Sequence, residues 1–564
     1  MNPERLLAHY ETIADAPDAI PRLRRFVLDL AVRGKLVPQD PNDEPASELL
    51  KRIAAEKARL VKAGEIKREK SVARTSADDL SFDLPAGWSF ASLSEVAACL
   101  DHRRIPVNST EREARIASKS REELFPYYGA TQQQGWIDDY LFDGEFILLG
   151  EDGVPFGDPF RTKAYLISGK SWVNNHAHVF QAILTSPQFL VHYLNVFDYS
   201  GRVVGTTRAK LNQAQAVTIP CPIPPLAEQH RIVAKVDELM ALIDRLEAAR
   251  AEREATRDRL TAASLARLNA PDPETFRDDA RFALDALPAL TARADQIKQF
   301  RQTILNLAVR GKLVPQDPND EPASELLKRI AAEKARLVKD GKIRTPRAIP
   351  ALPELPYPIP ANWRWSQLAE IGVLSPRNEA PDALEASFVP MSLIPAEYGV
   401  ANHHEVRRWG EIKKGYTHLA EGDVGLAKIT PCFENGKSAV FRNLTGGIGA
   451  GTTELHVVRP LFVDQDYILL FLKSPHFIET GIPKMTGTAG QKRVPFEYFA
   501  YSPFPLPPLA EQRRIVAKVD ELMALCDRLE TSLATADDTR RRLLEALLAE
   551  ALAPAEDREL EAAE

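Results

Sequence analysis

Cysteine is scarce in this chain: Cys99, Cys221, Cys432 and Cys526 stand far apart and share no paired spacing. That excludes a disulfide framework and a zinc knuckle. Long apolar runs are missing as well, so no membrane-spanning helix is expected. The stretch Met1–Tyr10 carries charge where a secretory signal needs an apolar core, and the expected setting is cytoplasmic. No glycine loop of the kind that holds adenosylmethionine occurs, and no Asn-Pro-Pro-Tyr/Phe or Asp-Pro-Pro-Tyr methylation motif. Residues 164–171 imitate a phosphate loop, but Ala164 replaces its first glycine and residues 172–176 start a helix poorly. His176 and His178 share a strand face without an assignable third metal ligand. Catalysis by this chain alone is not expected.

Positive charge in excess is the next absence. The formal net charge of −7 argues at first against a nucleic-acid partner. Its location weakens the objection. Residues 509–564 hold 8 Lys/Arg against 14 Asp/Glu, whereas residues 85–221 hold 12 against 14 and residues 360–508 hold 14 against 15. Local basic stretches must therefore decide.

What the chain does have is a duplication. The 33 residues from Leu30 to Lys62 recur unchanged from Leu307 to Lys339, an offset of 277. Leu84-Pro-Ala-Gly-Trp88 answers Ile359-Pro-Ala-Asn-Trp363, and residues 222–229 answer 505–512 at an offset of 283. Between these anchors, at about residues 97–200 and 372–482, the halves scarcely resemble each other. Two equal frames carry two different inserts.

Each half repeats one order of elements. A small amphipathic helix, with Leu49, Leu50, Ile53 and Leu60 at helical spacing, begins at Pro45 and Ser47 and ends at Gly64. The insert follows. Residues 145–149, 164–167, 178–180 and 454–458 read as strands, and residues 189–194 and 467–472 as helices at an offset of 278. After Pro224-Pro225 and Pro507-Pro508 a long helix of roughly forty residues begins. Ile232, Val236, Leu239, Ile243 and Leu246, like Ile515, Val519, Leu522, Cys526, Leu529 and Leu533, alternate steps of four and three, the spacing of a coiled-coil seam. The expected fold is α+β: two mixed α/β domains separated by long antiparallel coiled-coil helices with pseudo-two-fold, cyclic symmetry. The expected segments are 1–84, 85–221, 222–358, 359–504 and 505–564.

The matched ends of the inserts are the strongest candidate for chemistry. Residues 199–213 and 481–495 each contain three bases and no acid. At one offset of 282, Arg202 answers Lys484, Gly205-Thr206 answers Gly487-Thr488, and Lys210 answers Lys492. Lys and Arg beside Gly, Thr and Gln suit phosphate and base-edge contact. The candidates are Arg202, Thr206, Thr207, Arg208, Lys210 and Asn212, with Lys484, Thr486, Thr488, Gln491, Lys492 and Arg493. Gln132, Gln133, Asn174, Asn175, Lys428, Asn435 and Lys437 are softer candidates for reading bases, since single motifs of this kind are commonly turn residues. Asp382 with Glu411 and Lys413 could form a magnesium nuclease triad, although short patterns of this kind arise often by chance and the sister half has no equivalent.

The duplicated Pro-Leu-Ala-Glu-Gln and Arg-Ile-Val block (226–233 and 509–516), the repeated Leu-Ala-Val-Arg-Gly-Lys-Leu-Val-Pro-Gln block, and the run Tyr128-Gly-Ala-Thr131 … Trp172-Val-Asn-Asn-His-Ala-His178 resemble the specificity subunits of Type I restriction–modification enzymes. The resemblance covers nearly the whole chain. It implies that each insert is a target-recognition domain reading one half of a bipartite double-stranded DNA sequence. It also implies that the repeated helices space the inserts and dock two modification subunits, with restriction subunits joining later. On that reading Glu228, Gln229, Arg231, Glu511, Gln512 and Arg514 are candidates for partner binding. S-adenosylmethionine, ATP and Mg would belong to the partner subunits and none to this chain. The competing readings are a Mg-dependent nuclease and a coiled-coil adaptor that binds no DNA.

Overall fold

A computed structural model describes residues 13–68, 82–205, 209–488 and 490–552. The chain divides into two compact units, Met1–Glu252 with Asp537–Glu564, and Arg253–Ala536. In the first unit, α1 (Ala19–Val32) stops at Gly34, whose φ of +66° lets the Lys35 N–H donate back to the Leu30 carbonyl. A Cβ there would stand 2.4 Å from Pro85 Cγ. The predicted amphipathic helix follows as α2 (Ala46–Lys62), burying Ala46, Leu49 and Ile53. Next, β1 (Ser89–Ser92) pairs antiparallel with β9 (Pro220–Ile223), so the insert leaves and rejoins its frame at one place.

The insert between them has two sheets. One holds β2 (Ala97–Cys99), β5 (Glu145–Gly150), β6 (Ala164–Ser168) and β8 (Ala177–Ala182) in the order β2-β8-β5-β6. The other holds β3 (Phe125–Tyr128), β4 (Gln133–Ile137) and β7 (Trp172–Val173), with β3 and β7 parallel. Helix α3 (Pro187–Val196) is capped by Ser186 and buries Phe189, Leu190 and Tyr193. The 44-residue helix α4 (Leu226–Asn269) then begins, about 66 Å of rise.

The second unit repeats the plan. Its frame helices are α5 (Ala294–Val309) and α6 (Ala323–Lys339), and β10 (Arg364–Ser366) pairs antiparallel with β19 (Phe504–Leu506). The second insert contains β11 (Gly372–Leu374), β12 (Glu385–Val389), β13 (Glu405–Arg408), β14 (Thr417–Ala420), β15 (Val424–Ala427), β16 (Ser438–Val440), β17 (Ile448–Gly451) and β18 (Leu455–Pro460). Its sheets are ordered β11-β18-β15-β16 and β13-β12-β17-β14, with β12 and β17 parallel. Strand for strand this is the first insert with one edge strand, β14, added. Sequences that scarcely match adopt one topology. Helices α7 (Gln465–Lys473) and α8 (Leu509–Leu552), 44 residues, complete the unit's plan.

The four-and-three stripes form antiparallel helix seams, and within each unit the partner is the short helix. Ile232, Val236 and Ile243 are buried against Ile20, Val27 and Ala31 of α1, with Trp88 and Phe189 closing the cluster. Arg24 reaches Asp244 and Glu247 while Arg250 donates to the Ala16 carbonyl, which sets α1 and α4 antiparallel. Ile515, Val519, Met523 and Cys526 meet Ile297, Ile304 and Leu305 of α5 in the same way. At the end of α8, Leu544, Leu547, Leu548 and Ala551 pack on Ile13, Ala16, Phe26 and Leu30, joining the last helix to the first.

Three separately repeated motifs converge at one point in each frame, and this corrects the expected role of four residues. Glu228, 1% exposed, accepts from Trp88 Nε1 at 3.0 Å and from Gln39 Nε2 at 2.8 Å. Burial raises its pKa, against the opposing pull of those two donors. Gln229 is fully buried, accepts from the Ser186 N–H (2.8 Å) at the start of α3 and donates to the Pro224 carbonyl (2.9 Å). Arg231 forks onto Asp43 at 2.6 and 3.2 Å. The second copy repeats most of this: Gln316 donates to Glu511 at 2.6 Å, Gln512 accepts from the Asp464 N–H at 2.8 Å, and Arg514 forks onto Asp320, whereas Trp363 Nε1 and Glu511 Oε2 are buried without a hydrogen bond between them. Glu228, Gln229, Glu511 and Gln512 are therefore internal struts rather than docking residues, because their side chains are buried. Arg231 and Arg514 are tied down by Asp43 and Asp320 and stay partly exposed.

Candidate nucleic-acid interface

In both inserts the basic segment is a small hairpin attached to the end of the central strand. In the first, Val204 and Lys210 exchange backbone hydrogen bonds (3.0 and 2.9 Å), and Leu211 N–H donates to the Glu151 carbonyl at 2.8 Å. In the second, Thr486 and Arg493 exchange bonds at 3.0 and 2.8 Å, and Val494 N–H donates to the Lys428 carbonyl at 2.8 Å. The backbone thus equates Lys210 with Arg493, not with Lys492 as the single offset suggested. The second hairpin is one residue longer between its bridged positions.

The charges around this shared backbone are arranged differently. Lys210 Nζ lies 3.0 Å from Glu151, at the end of β5. Arg493 is held by Glu454 through two bonds of 2.8 Å, Glu454 occupying the place that His176 has in the first insert. Burial would raise the Glu151 carboxyl, but the bonds from Arg104 and Lys210 prevail and its pKa is lowered. The bond from Arg493 lowers Glu454. Each loop therefore carries one base already neutralised at its root.

The predicted site residues separate by exposure. Lys484, Thr486, Thr488, Gln491 and Lys492 lie exposed on the second loop, and among the described residues no ion pair holds either lysine. Gln132, Asn175 and Asn435 are exposed too, and Lys428 is half-buried at the root of the loop. Thr206, Thr207 and Arg208 lie outside the described residues. Five candidates make contacts within the chain. Arg202 donates to Thr218 Oγ1 at 3.1 Å and lies over the Phe197 ring. Asn174 is buried and accepts from the His176 N–H, a turn. Asn212 caps residues 213–217 by accepting from the Gln215 N–H. Gln133 Nε2 donates to the Gly135 carbonyl, and Lys437 Nζ to the Met391 carbonyl.

Other surface features were not legible as motifs. Arg121 lies over the Trp136 ring and Lys170 over Tyr140, adding basic groups stacked on aromatics to the first insert. Beneath the first loop is a charged cluster: His178 Nδ1 stands 2.6 Å from Asp101, and Arg104 bridges Asp101 (3.1 Å) and Glu151 (2.8 Å). Asp101, Glu151 and His178 are the one grouping of three possible metal ligands among the described residues. Arg104 and Lys210 already supply the positive charge a cation would bring, so the cluster reads as an ion-pair network. In the suspected nuclease triad, Lys413 is ion-paired to Asp382 at 2.5 Å, and Glu411 joins no ligand group among the described residues.

Residues 85–254, the first insert and the start of α4, match the family model described as the Type I restriction modification DNA specificity domain. Over that stretch the chain is similar to the DNA specificity domains of Type I restriction–modification systems. The EcoEI specificity subunit of Escherichia coli is 54% identical over 258 residues, 45% of this chain and 43% of that protein. The EcoAI specificity subunit of the same species is 52% identical over 257 residues, 45% of this chain and 44% of its own length. In these matches the chain spans less than half the length of either relative. A solved chain from a study of complex assembly and conformational transition of the type I R-M system shares 17% identity, with 84% of this chain and 99% of that chain covered and a TM-score of 0.45.

Proposed function

We propose that the chain is the sequence-specific DNA-recognition subunit of a Type I restriction–modification complex, each insert reading one half of a bipartite, asymmetric target. The observation that carries this is the shared topology of the two inserts. One of them matches a DNA specificity domain, and the other has the same strand order, the same closing strand pair and an equivalent basic hairpin, in unrelated sequence. Exposed lysines position the phosphates, and polar side chains on each loop discriminate bases at about 1–3 kcal/mol per wrong pair. The α4 and α8 helices fix the separation of the half-sites, and base pairs between them are not read. The domain segments given above are the working boundaries of this reading.

The equal frames offer equivalent faces to two modification subunits, with restriction subunits joining the complex. Methyl transfer from S-adenosylmethionine and ATP- and Mg-dependent cleavage belong to those partners. The test is sequencing of methylated sites in cells carrying the chain with its partners. Exchange of residues 97–213 for another insert should change one half of the methylated motif and leave the other half intact. A change in both halves would refute modular reading, and absence of any bipartite motif would refute DNA recognition.

A further inference from the structure

Each basic hairpin hangs from a buried histidine. His178 Nε2 lies 2.9 Å from the Leu211 carbonyl oxygen, and His456 Nε2 lies 3.1 Å from the Val494 carbonyl oxygen. The two histidines occupy one position in the fold. They stand on β8 and β18, the strands second in order in their sheets, opposite Leu149 and Leu426 on the strands whose ends carry the hairpin. Leu211 and Val494 are themselves buried, and each directly follows the base that closes the hairpin, Lys210 or Arg493.

The surroundings of the two rings share little. His178 Nδ1 faces Asp101 at 2.6 Å within the ion-pair cluster, whereas His456 stacks on Phe499 with ring centroids 5.2 Å apart. The bond is retained although the groups that face Nδ1 and stack on the ring differ. Its common element is the carbonyl at the end of the loop.

We propose that His178 and His456 are positioning residues for base reading, each pinning the C-terminal root of its insert's hairpin. The inference rests on reading the inserts as DNA-recognition domains. Without the Nε2 donor the buried carbonyl is left unpaired, and the root is held only by its backbone bonds and by the ion pair of the closing base. Described side chains ahead of the root, such as Gln491 and Lys492 in the second insert, would then lose placement against the base edges, where small displacements are costly.

The experiment uses the complete chain assembled with its partner subunits and compares three variants at each position. His178→Leu keeps bulk and removes the donor. His178→Gln places an amide N–H near the Nε2 position. His178→Asn retains a polar group toward Asp101 but falls short of the Leu211 carbonyl. Methylated-site sequencing defines the two half-sites, and binding to duplexes altered in one half measures each separately. His178→Leu and His178→Asn should weaken discrimination at the half-site of the first insert about tenfold. His178→Gln should recover most of that loss, and the other half-site should stay within twofold. His456→Leu should give the mirror result. Unchanged discrimination in His178→Asn, or equal loss at both half-sites, overturns the positioning role. A wild-type complex that recognises no bipartite site would instead overturn the DNA-recognition reading beneath it.

Discussion

Neutralising a base at the root of a loop should show directly in the salt dependence of DNA binding. Each phosphate contacted by a free cation contributes about −0.9 to the slope of log K against log salt. Lys492 is exposed and held by no ion pair among the described residues, so Lys492→Ala should flatten the slope by about 0.9. Across a fourfold rise in salt, from about 50 to about 200 mM, that is a factor of about 3.5, so the loss in affinity should be about 3.5 times larger at the lower salt. Lys210 stands 3.0 Å from Glu151, and Arg493 is gripped twice by Glu454. Lys210→Ala should therefore flatten the slope by less than half as much. Glu454→Gln should steepen it, because it releases Arg493 toward the phosphates. The assay is fluorescence anisotropy of the assembled complex on a labelled duplex lacking the target, titrated over that salt range. A Lys492→Ala slope within about 0.3 of wild type, or a Glu454→Gln slope that flattens, would refute the assignment of phosphate contacts to this loop.

Glu228→Ala strands the buried Trp88 Nε1 donor, while the exposed Gln39 amide turns to water, and should cost about 1–3 kcal/mol. Urea unfolding followed by tryptophan fluorescence checks it, and a shift below about 0.5 kcal/mol would show the hub to be ornamental. Burial holds the His456 imidazole neutral, with its pKa lowered to about 4 from 6.5. The unfolded chain therefore binds the extra proton first as pH falls. The resulting stability is full above pH 6.5 and is lost as pH drops through about 4. Thermal unfolding of wild type should fall more steeply than that of His456→Gln across this window, and parallel curves would contradict the placement. Gly487 has φ +128°, and a Cβ there would lie 2.8 Å from the Gln491 carbonyl oxygen. Gly487→Ala should thus distort the second hairpin and degrade only the second half-site in methylated-site sequencing, whereas intact reading of both halves would exclude the loop from recognition.

How much of this was legible in the sequence depended on the range of the interaction involved. Helical periodicity and proline placement are local, and α2, α6 and both long helices lie where the spacing put them. The strands at residues 145–150, 164–168 and 177–182 also match alternation and turn signals. The sheets were hidden, because pairing of β8 with β2 and β5 across many residues leaves no mark in local pattern. The roles of Glu228 and Gln229 were misread for a related reason. A polar residue repeated in both halves fits a surface contact as well as a buried strut, and only the approach of Trp88 and Gln39 separates the two. The histidine pair did leave a trace. The offset of 278 that matches α3 to α7 also matches His178-Val to His456-Val, and the offset of 283 downstream equates Lys210 with Arg493. Taking one offset of 282 for the whole loop concealed both.

The identity of the repeated block exceeds what the fold requires. Trp88, Gln39 and Glu228 must match their copies for the hub to close, but α2 and α6 are also identical at exposed positions. Lys51 pairs with Glu48 as Lys328 pairs with Glu325, and Arg52 with Glu44 as Arg329 with Glu321. Surface pairs of this kind are worth at most about 1 kcal/mol each, so stability gives little reason to keep them. The inserts make the opposite case: there a common hairpin and a common histidine latch persist while Glu151, Lys428, His176 and Glu454 exchange charge among equivalent positions. Geometry is held constant where the loops must be presented, and chemistry varies where the two half-sites would differ. Under the proposed function, exposed identity in the frames would serve the docking of two copies of one partner, and divergence in the loops would serve an asymmetric target.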